Sequence, residues 1–340
     1  MRAVVLVGGL GTRLRPLTFH TPKQMLPVVN RPMIEWSVAH LAAHGVDDVV
    51  LSLGYAADAF VSAFPDGTCG GSRLHFAVED EPLDTAGAMR FAALDAGIDE
   101  RFLVINSDVV TDLDLSALIA FHDRHGAEAT IALHEVDDPS RYGVVPTDDG
   151  GRVLAFVEKP AAGEAPTNLI NAGTYVLEPS VIDLIEGGRR VSIERETFPE
   201  LVARGTLYAM DGGSAYWIDT GTPQDFLQAQ LDIIDDGYRG AAPDGAVAVD
   251  PCASVSAGAT VERSVIGPGA VIEADAEVAG SVVMAGARVG AKARVHHSII
   301  GPHAEVGPGA TVEELSVLGE GVTVAGGEVV RAVRLPGEDE

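Results

Sequence analysis

The stretch "SVIGPGAVIEADAEVAGSVVMAGARVG", residues 264–290, contains a repeat that determines the fold of the last third of the chain. The segments "SVIG", "SVVM", "SIIG" and "SVLG" begin at Ser264, Ser281, Ser298 and Ser316, at spacings of 17, 17 and 18 residues. A six-residue period lies within this longer unit. Its apolar positions are Val249, Val255, Val261, Ile266, Ile272, Val278 and Met284, and after a short slip Ile300, Val306, Val312, Leu318 and Val324.

Three hexads in each longer unit, with small residues between the apolar positions, are what a triangular parallel β-helix requires. An antiparallel sandwich would not keep this fixed spacing. The stretch "GYRGAAPDGA" before the repeat is rich in Gly, Ala and Pro, which is typical of a linker. We therefore predict a linker at residues 237–246, a β-helix at 247–335 and an acidic tail at 336–340.

Residues 1–236 show alternating strand-like and helix-like patterns. Apolar runs typical of buried strands lie at residues 3–7, 49–53, 74–78, 102–105, 129–133, 153–157 and 169–176. Helix-like stretches between them include residues 33–44 and 85–94. This alternation predicts an α/β domain with a mixed, mostly parallel, Rossmann-like sheet, whose ligands bind at the carboxyl ends of the strands. The polar segments "GGLGTR" and "NSD" directly follow buried strands and therefore fall on that edge.

The composition limits the classes of function. The 340 residues include 23 Lys and Arg against 50 Asp and Glu, for a formal net charge of −27. This charge argues against nucleic-acid and anionic-membrane partners, because both repel an acidic surface. No segment resembles a transmembrane span or a secretory signal. The two cysteines, Cys69 and Cys252, lack the spacing of a metal site, so we predict a reduced, cytoplasmic chain.

The stretch "VLVGGLGTRLRPLT", residues 5–18, places two arginines directly after a glycine-rich turn. It fits neither the Walker A pattern nor the dinucleotide fingerprint, which needs a glycine where Leu14 stands. Any phosphate site here is therefore of another kind, and the alternative is a tight turn with solvated Arg13 and Arg15. Lys23, Lys159 and Lys292 are the chain's three lysines, which makes them candidates for chemistry that arginine does not reproduce.

An ordered set of motifs covers nearly the whole chain. After "GGLGTRLRPLT" come "TPKQMLPVVNRPM" (21–33), "NSDVV" (106–110), "VEKP" (157–160), "INAGTYVLEP" (170–179), "SIERETFPELV" (192–202), "YWIDTGTPQDFL" (216–227) and the hexads. With these motifs the chain resembles the sugar-1-phosphate nucleotidylyltransferases, most of all the mannose-1-phosphate guanylyltransferases. The resemblance implies a nucleotidyltransferase domain at 1–236, a left-handed β-helix after it, and transfer of a nucleotidyl group from GTP to mannose 1-phosphate with release of pyrophosphate.

The resemblance also assigns roles to the phosphate loop. Glycines without side chains let backbone N–H groups approach phosphate oxygens. A guanidinium at Arg13 would then hold the β- and γ-phosphates in bidentate contacts, and Lys23 would contact the nucleotide phosphates. The residues expected to bind the nucleotide are Leu6, Gly8, Gly9, Gly11, Thr12, Glu79, Thr85, Ala86 and Gly87. Gln24 stands where the family more often has proline.

Two aspartates are implied as Mg²⁺ ligands. Asp108 ends a predicted strand, and Asp219 lies in "YWIDTGTP". Mg²⁺ prefers oxygen ligands and would serve as template and Lewis acid for in-line attack by the sugar-phosphate oxygen. That oxygen is already an anion at pH 7, so no general base is required. Ser107 replaces a glycine that the family usually has in "NGD", which we expect to change the backbone beside the metal.

The sugar phosphate and the base have their own predicted contacts. Lys159 would hold the sugar's phosphate in line and complete the expected catalytic set, and the expected sugar-binding residues are Gly143, Glu158, Asn171 and Gly173. Glu79 would accept hydrogen bonds from the N1–H and N2–H₂ donors of guanine. Asp84 stands where the family usually has glycine, in the turn that faces the base.

Three alternatives stay open at this point. The chain could be a glucose-1-phosphate thymidylyl- or uridylyltransferase, or a non-catalytic homologue that senses nucleotide sugars. It could also be a β-helix acyltransferase that uses a coil histidine, for which His296, His297 and His303 are the candidates. The leading interpretation requires a nucleoside triphosphate and a sugar 1-phosphate as partners, and the exposed β-helix coils predict self-association into a homo-oligomer.

Overall fold

The computed structural model describes residues 1–54 and 56–337. The strands before the repeat are β1 (Arg2–Val7), β2 (Pro27–Val28), β3 (Arg31–Pro32), β4 (Asp48–Leu53), β5 (Thr68–Cys69), β6 (Ser72–Val78), β7 (Phe102–Asn106), β8 (Val109–Thr111), β9 (Ala129–Glu135), β10 (Gly143–Val144), β11 (Val157–Glu158), β12 (Leu169–Leu177), β13 (Leu207–Asp211) and β14 (Trp217–Asp219). The helices are α1 (Met33–Ala43), α2 (Ala57–Ala63), α3 (Asp84–Asp95), α4 (Leu115–His125), α5 (Ser180–Asp183), α6 (Phe198–Arg204) and α7 (Pro223–Ile234). Short 3₁₀ turns lie at Thr12–Leu14, Lys23–Met25 and Pro139–Arg141, and a π-helical turn lies at Ile193–Thr197.

The chain folds as two compact units, and neither is one continuous stretch of sequence. The first combines Met1–Gly9 with Ser37–Trp217, and the second combines Leu10–Trp36 with the chain from Ile218 onward. The two units therefore do not coincide with the expected domains at 1–236 and 247–335, each of which is one continuous stretch of sequence. The phosphate loop itself is divided, with Gly8 and Gly9 in the first unit and Gly11 to Arg13 in the second. Residues 338–340 of the predicted acidic tail lie outside the described residues.

The first unit is built on a mixed sheet in the order β11-β10-β12-β7-β1-β4-β6-β5, with β9 beside β12 and β13 beside β9. The central strands β7, β1, β4 and β6 are parallel, and β12 runs antiparallel to β7. Leu6 lies in register with Ser52 on one side and Asn106 on the other. The predicted α/β sheet is confirmed, and the segments after β1, β6 and β7 leave from its carboxyl edge.

The predicted strand at 153–157 is wrong. Val153 and its neighbour form isolated bridges, and regular pairing begins at β11. The apolar residues of this run pack separately, because Val153 donates its N–H to the Leu207 carbonyl while Phe156 packs against Phe198, with ring centroids 5.4 Å apart. Leu154 between them is 57% exposed.

The second unit contains the repeat as fifteen short strands. They are β15 (Ser254–Val255), β16 (Thr260–Glu262), β17 (Val265–Ile266), β18 (Val271–Ile272), β19 (Glu277–Ala279), β20 (Val282–Val283), β21 (Arg288–Val289), β22 (Arg294–His296), β23 (Ile299–Ile300), β24 (Glu305–Val306), β25 (Thr311–Glu313), β26 (Val317–Leu318), β27 (Thr323–Val324), β28 (Val329–Arg331) and β29 (Arg334–Leu335). Every third strand joins the same sheet, so three parallel sheets of five strands form the faces. This is the predicted left-handed β-helix architecture, with one buried apolar column along its axis.

Two details of the predicted apolar register are wrong. Val283, and not Met284, joins the buried column, because the third hexad of that coil is one residue short. Met284 instead belongs to the cluster on the outside of one face. Val249 and Val255 are 45% and 42% exposed, since they lie at the first coil, where no preceding coil covers them.

Buried serines stack through the coils at the position that begins each longer repeat. The N–H of Ser281 donates to Ser264 Oγ, and the N–H of Ser298 donates to Ser281 Oγ, both at 3.1 Å. Each of these hydroxyls in turn donates to a main-chain carbonyl two residues earlier. The repeated serine therefore satisfies polar groups at a tight corner of the solenoid.

One face of the β-helix is covered by the N-terminal segment of the same unit. Val265, Val282, Ile299 and Val317 point outward from β17, β20, β23 and β26 into a second buried cluster. The residues that join them there are Leu14, Leu17, Leu26, Val28, Val29, Met33, Trp36, Met284, Phe226, Leu227 and Leu231. The Asn30 side-chain amide adds hydrogen bonds to the carbonyls of Val247 and Ile266, at 2.8 and 2.9 Å. The segment that carries Arg13 and Lys23 is thereby anchored to the β-helix.

None of the helices in the described part of the chain combines the length and hydropathy needed to span a bilayer.

Candidate active site

The part of the phosphate loop that lies in the second unit, Gly11 to Arg13, is a tight turn that depends on Gly11. Its φ is +61°, and a methyl group there would lie 3.0 Å from Thr18 Cγ2 and 3.2 Å from Lys23 Cβ. The Gly11 carbonyl accepts a 2.7 Å hydrogen bond from Thr18 Oγ1. A side chain at this position would therefore be strained and would also collide. The close contact brings Lys23 directly beside the glycine loop.

Arg13 lies in the 3₁₀ turn Thr12–Leu14, and its neighbour Leu14 is fully buried. Its guanidinium lies against Gly221 of the "DTGTP" turn, where a methyl group would lie 2.5 Å from Arg13 Nη2 and 2.8 Å from Asp219 Oδ1. The Gly221 N–H also donates to Asp219 Oδ1 at 2.8 Å. The second unit therefore places a predicted phosphate-binding cation and a predicted metal ligand around one glycine.

Helix α7 holds this turn in place. Thr222 caps the helix, since its Oγ1 accepts from the N–H of Asp225 at 3.2 Å. Thr220 is fully buried, with its hydroxyl 3.2 Å from Met33 Sδ. Phe226 and Leu227 are buried in the cluster against the β-helix. The turn after Asp219 is therefore anchored by a capped helix and by buried side chains.

In the first unit, Asp108 follows the end of β7 and is half-buried. Ser107 before it is 1% exposed, and its Oγ donates to the Leu6 carbonyl at 2.5 Å. The serine that replaces the family's usual glycine therefore ties the end of β7 to the end of β1. The described residues contain no group of three or more His, Cys, Asp or Glu side chains that could hold a metal ion.

Two of the residues predicted to read the sugar, Asn171 and Glu158, interact with Tyr175, which the sequence patterns did not identify. Its hydroxyl accepts a 2.8 Å hydrogen bond from Asn171 Nδ2. Burial raises the pKa of this phenol, and the carboxylates of Glu194, Glu158 and Asp108 raise it further, although the Asn171 hydrogen bond opposes them. Tyr175 therefore stays protonated at neutral pH, beside three carboxylates from separate motifs.

Two glycines shape the surroundings of Asn171. Gly173 has φ +74°, and a methyl group there would lie 2.7 Å from Asn106 Nδ2. Its N–H donates to Asn171 Oδ1 at 2.9 Å, within a register shift of β12 against β9. A methyl group at Gly143 would lie 2.5 Å from the Phe156 ring and 3.1 Å from Glu158 Oε2. Both positions exclude larger residues for steric reasons.

Glu158 and Lys159 form an ion pair at the edge of this region. Lys159 Nζ lies 3.2 Å from Glu158 Oε1, with the lysine side chain 61% exposed and the glutamate side chain 26% exposed. Lys159 also adopts a positive φ of 48°, so its backbone leaves the extended conformation of β11, which ends at Glu158. An exposed pair of this kind adds little stability. Loss of this ion pair would therefore cost the fold little.

In the described conformation the predicted base-binding residues make hydrogen bonds to other residues of the first unit, most of them distant in sequence. Glu79 Oε1 accepts from Ser52 Oγ at 3.1 Å, and its Oε2 accepts from the Leu83 N–H at 3.0 Å. The N–H groups of Ala86 and Gly87 both donate to the Val191 carbonyl. Thr85 Oγ1 donates to Glu194 Oε2 at 2.9 Å and accepts from the Ile193 N–H at 2.8 Å.

Asp84 begins α3 with a φ of +62°, a conformation that glycine adopts without strain. This explains why glycine is the usual residue there. The Asp84 carboxylate accepts from the Thr85 N–H at 2.8 Å, a local hydrogen bond of the kind that lets aspartate tolerate this region. The side chain of Asp84 therefore stabilises the backbone conformation that glycine would otherwise adopt at this position.

Sequence reasoning missed Tyr175, Glu194 and Ser52. The first two lie inside the quoted motifs "INAGTYVLEP" and "SIERETFPELV", but their patterns also fit a core tyrosine and a solvated acid. Of the candidate histidines of an acyltransferase, His297 and His303 lie at coil corners and are exposed with positive φ. His296 ends β22, and its Nε2 lies 3.1 Å from Glu277 Oε1.

Comparison with known proteins agrees with this arrangement. Residues 2–236 match the family described as Nucleotidyl transferase, and residues 244–336 match the GMPPB C-terminal domain. The chain belongs to the nucleotidyl transferase family. The predicted resemblance to sugar-1-phosphate nucleotidylyltransferases, and the prediction that the chain is an enzyme, are thereby confirmed. This nucleotidyl transferase has the predicted α/β domain followed by the predicted β-helix.

Its relatives include several proteins named mannose-1-phosphate guanylyltransferase or guanyltransferase. One from Mycobacterium tuberculosis is 42% identical over 283 residues, which is 78% of this chain and 76% of that protein. One from Emericella nidulans is 47% identical over 231 residues, covering 67% of this chain and 62% of that protein, less than two thirds of its length.

Solved structures give the same fold for 68% of this nucleotidyl transferase. HddC from Yersinia pseudotuberculosis, complexed with GMP-PN, has a TM-score of 0.59 and 32% identity, and covers 68% of this chain and 99% of that one. A putative glucose-1-phosphate thymidylyltransferase from Bacillus anthracis has a TM-score of 0.61 and 26% identity, with 68% and 94% covered.

Proposed function

We propose that this chain transfers GMP from GTP to mannose 1-phosphate, giving GDP-mannose and pyrophosphate. The observation that supports it most is the placement of Arg13 and Asp219 around Gly221, with Lys23 beside Gly11 on the same support. These are the charges that a reaction at phosphate requires: cations for a leaving pyrophosphate and a carboxylate for a metal ion. The relatives named mannose-1-phosphate guanylyltransferase support the choice of GTP and mannose 1-phosphate.

In the proposed reaction a phosphate oxygen of mannose 1-phosphate attacks the α-phosphorus of GTP. The new bond joins that oxygen to phosphorus as the bond to the β-phosphate oxygen breaks, and pyrophosphate leaves with its electron pair. Arg13 and Lys23 neutralise the charge that accumulates on pyrophosphate, while Lys159 orients the attacking phosphate. No protein group takes a proton, because the attacking oxygen is already ionised at pH 7.

Asp108 and Asp219 are the proposed ligands of a divalent cation, with Mg²⁺ as the expected ion. Both supply carboxylate oxygens, which are the donors Mg²⁺ prefers. Mg²⁺ usually binds through one or two carboxylates together with substrate phosphates and water, a shell that two aspartates and a nucleotide can provide. When bound, the ion would withdraw charge from the α-phosphate and fix its orientation.

The remaining predicted roles are part of the same proposal. Asn171 and Glu158 would contact sugar hydroxyls, and Asn171 is supported by its fixed hydrogen bonds to Tyr175 and Gly173. Glu79 would accept hydrogen bonds from guanine through lone pairs not engaged by Ser52 and Leu83, since an ionised carboxylate offers about four acceptor sites. Self-association through the β-helix and a cytoplasmic location stay predictions from the sequence.

The experiment that tests this proposal measures pyrophosphate release for each combination of nucleotide, sugar phosphate and metal condition. Purified protein is incubated with GTP, dTTP, UTP or ATP, with mannose 1-phosphate or glucose 1-phosphate, and with Mg²⁺ or with EDTA. Pyrophosphate release should be fastest for GTP with mannose 1-phosphate, and EDTA should abolish it. Release only with dTTP or UTP and glucose 1-phosphate would replace the proposed substrates. Nucleotide-sugar binding without any release would identify a non-catalytic homologue.

A further inference from the structure

The last coil of the β-helix contacts the main chain of Arg13. Arg334 Nη1, at the start of β29, donates a 3.0 Å hydrogen bond to the Arg13 carbonyl. The two residues are 321 positions apart in sequence and belong to the same compact unit. A charged donor on a carbonyl is stronger than a neutral pair.

This hydrogen bond supplies a partner that the turn itself does not provide. Within the loop, the Gly11 carbonyl accepts from the Leu14 N–H and the Thr12 carbonyl accepts from the Arg15 N–H. The Arg13 carbonyl is the next one along the chain, and it accepts from Arg334. Arg334 therefore completes the hydrogen bonding of the turn that sets the direction of the Arg13 side chain.

Neighbouring contacts hold the two segments at this distance. Pro16 lies against Gly319 in the turn after β26, where a methyl group would lie 3.0 Å from Pro16 Cβ. Leu14, the residue directly after Arg13, is fully buried in the cluster that includes Val317. The β-helix therefore contacts the chain at two positions just after Arg13, and a glycine at 319 permits the close approach.

We propose that Arg334 is a positioning residue for nucleotide binding: it fixes the Arg13 main chain so that the guanidinium stays beside Gly221 and Asp219. The inference rests on the proposed role of Arg13 in holding the β- and γ-phosphates. Positioning matters because a side chain that is ordered before the ligand arrives loses less entropy on binding. In this proposal the last coil of the β-helix holds the Arg13 main chain in place for nucleotide binding.

The test compares Arg334→Ala with Arg331→Ala and Arg334→Lys. Arg331 is a matched control, since it is an exposed arginine of the same coil whose ion pair with Glu313 stays within the β-helix. Arg334→Ala should raise KM for GTP by about three- to tenfold, the effect of one ordinary hydrogen bond, because the bond between Arg334 and the Arg13 carbonyl is exposed to solvent; KM for mannose 1-phosphate should stay unchanged. Arg331→Ala should leave both values unchanged, and Arg334→Lys should recover part of the GTP affinity.

A second measurement does not depend on activity. Hydrogen exchange of the amides in residues 10–18 should become faster in Arg334→Ala and stay unchanged in Arg331→Ala. Unchanged exchange in Arg334→Ala, or equal increases in KM for the two alanine variants, would overturn the positioning role. If the wild-type protein releases no pyrophosphate, the proposed function fails, and faster exchange in Arg334→Ala alone would still support the structural half of the inference.

Discussion

The Asn171 side-chain amide donates a hydrogen bond to the buried Tyr175 hydroxyl, with 2.8 Å between Nδ2 and the phenol oxygen. The two residues lie on either side of a register shift in β12, and Gly173 between them donates its N–H to Asn171 Oδ1. Both polar ends of the amide are thereby engaged. This relationship fixes the orientation of Asn171 before any sugar is bound.

Replacing Tyr175 with Phe should therefore weaken sugar binding. The change removes the partner of Asn171 Nδ2 and allows the amide to rotate, so we expect KM for mannose 1-phosphate to rise by about tenfold with KM for GTP unchanged. Unfolding free energy should fall by about 1 kcal/mol. Steady-state kinetics and thermal unfolding measure both effects. Tyr208→Phe is the control, because its ring packs against His125 away from this cluster. Equal kinetics in the two variants would contradict the assigned role of Tyr175.

Replacing Gly221 with Ala should displace Arg13. The added methyl group would lie 2.5 Å from Arg13 Nη2 and 2.8 Å from Asp219 Oδ1, so one of these side chains must move. We expect kcat/KM for GTP to fall at least about tenfold while the melting temperature changes little, because the collision is at the end of a flexible side chain. Gly150→Ala is the control, since its nearest atom, Asp148 Oδ1, would lie 3.3 Å away in an exposed loop. Unchanged kinetics in Gly221→Ala would show that Arg13 does not need this position.

Asp108→Asn should remove nearly all turnover and keep the fold. Asparagine preserves the size of the side chain but lacks the negative charge that a divalent ion requires, so we expect kcat to fall on the order of 100-fold or more. Pyrophosphate release at several Mg²⁺ concentrations measures the loss, and circular dichroism checks the fold. Asp99→Asn, on a side chain that is 93% exposed, is the matched control. Near-normal activity of the Asp108 variant would exclude it from the metal site.

His40 should make the protein less stable in acid. The side chain is 5% exposed, and burial lowers its pKa to about 4, with His44 adding to the effect and Asp112 and Asp114 opposing it. Since the unfolded state binds the proton more tightly, stability should fall as the pH drops from about 6.5 to about 4, by up to about 3 kcal/mol. Chemical denaturation at pH 7 and pH 5 should show a smaller decrease for His40→Leu than for the wild type. His20→Leu, at an exposed position, should keep the wild-type decrease; an equal decrease in all three proteins would contradict the prediction.

Much of the fold could be predicted from periodicity. The hexads and the repeated serines each describe one coil, and a solenoid needs contacts only between neighbouring coils, so local sequence defines it. The exact register could not be obtained in this way. The shorter third hexad moves Val283 into the column and Met284 out of it, because one missing residue shifts the apolar position of that hexad by one.

The site was less predictable than the fold. Motifs identified Arg13, Lys23, Asp108 and Asp219 as candidates, because each has a charge suited to phosphate or metal chemistry. Motifs could not reveal that Ala86 and Gly87 donate to the Val191 carbonyl. Nor could they show that Glu79 accepts a hydrogen bond from Ser52, since these partners lie on segments that are separated in sequence and meet only through tertiary packing.

The sequence by itself determined the two kinds of architecture and the chemical types at the candidate site, because repeat period, strand and helix patterns and charged motifs are local properties. Only the tertiary structure decided which residues that are distant in sequence contact one another. It placed Leu10–Trp36 and α7 on one face of the β-helix, set Arg334 against Arg13, and brought Glu194 to Tyr175. The physical reason is that the fold is the arrangement that buries and closely packs the apolar side chains. That arrangement depends on contacts between residues hundreds of positions apart, which local sequence patterns do not show.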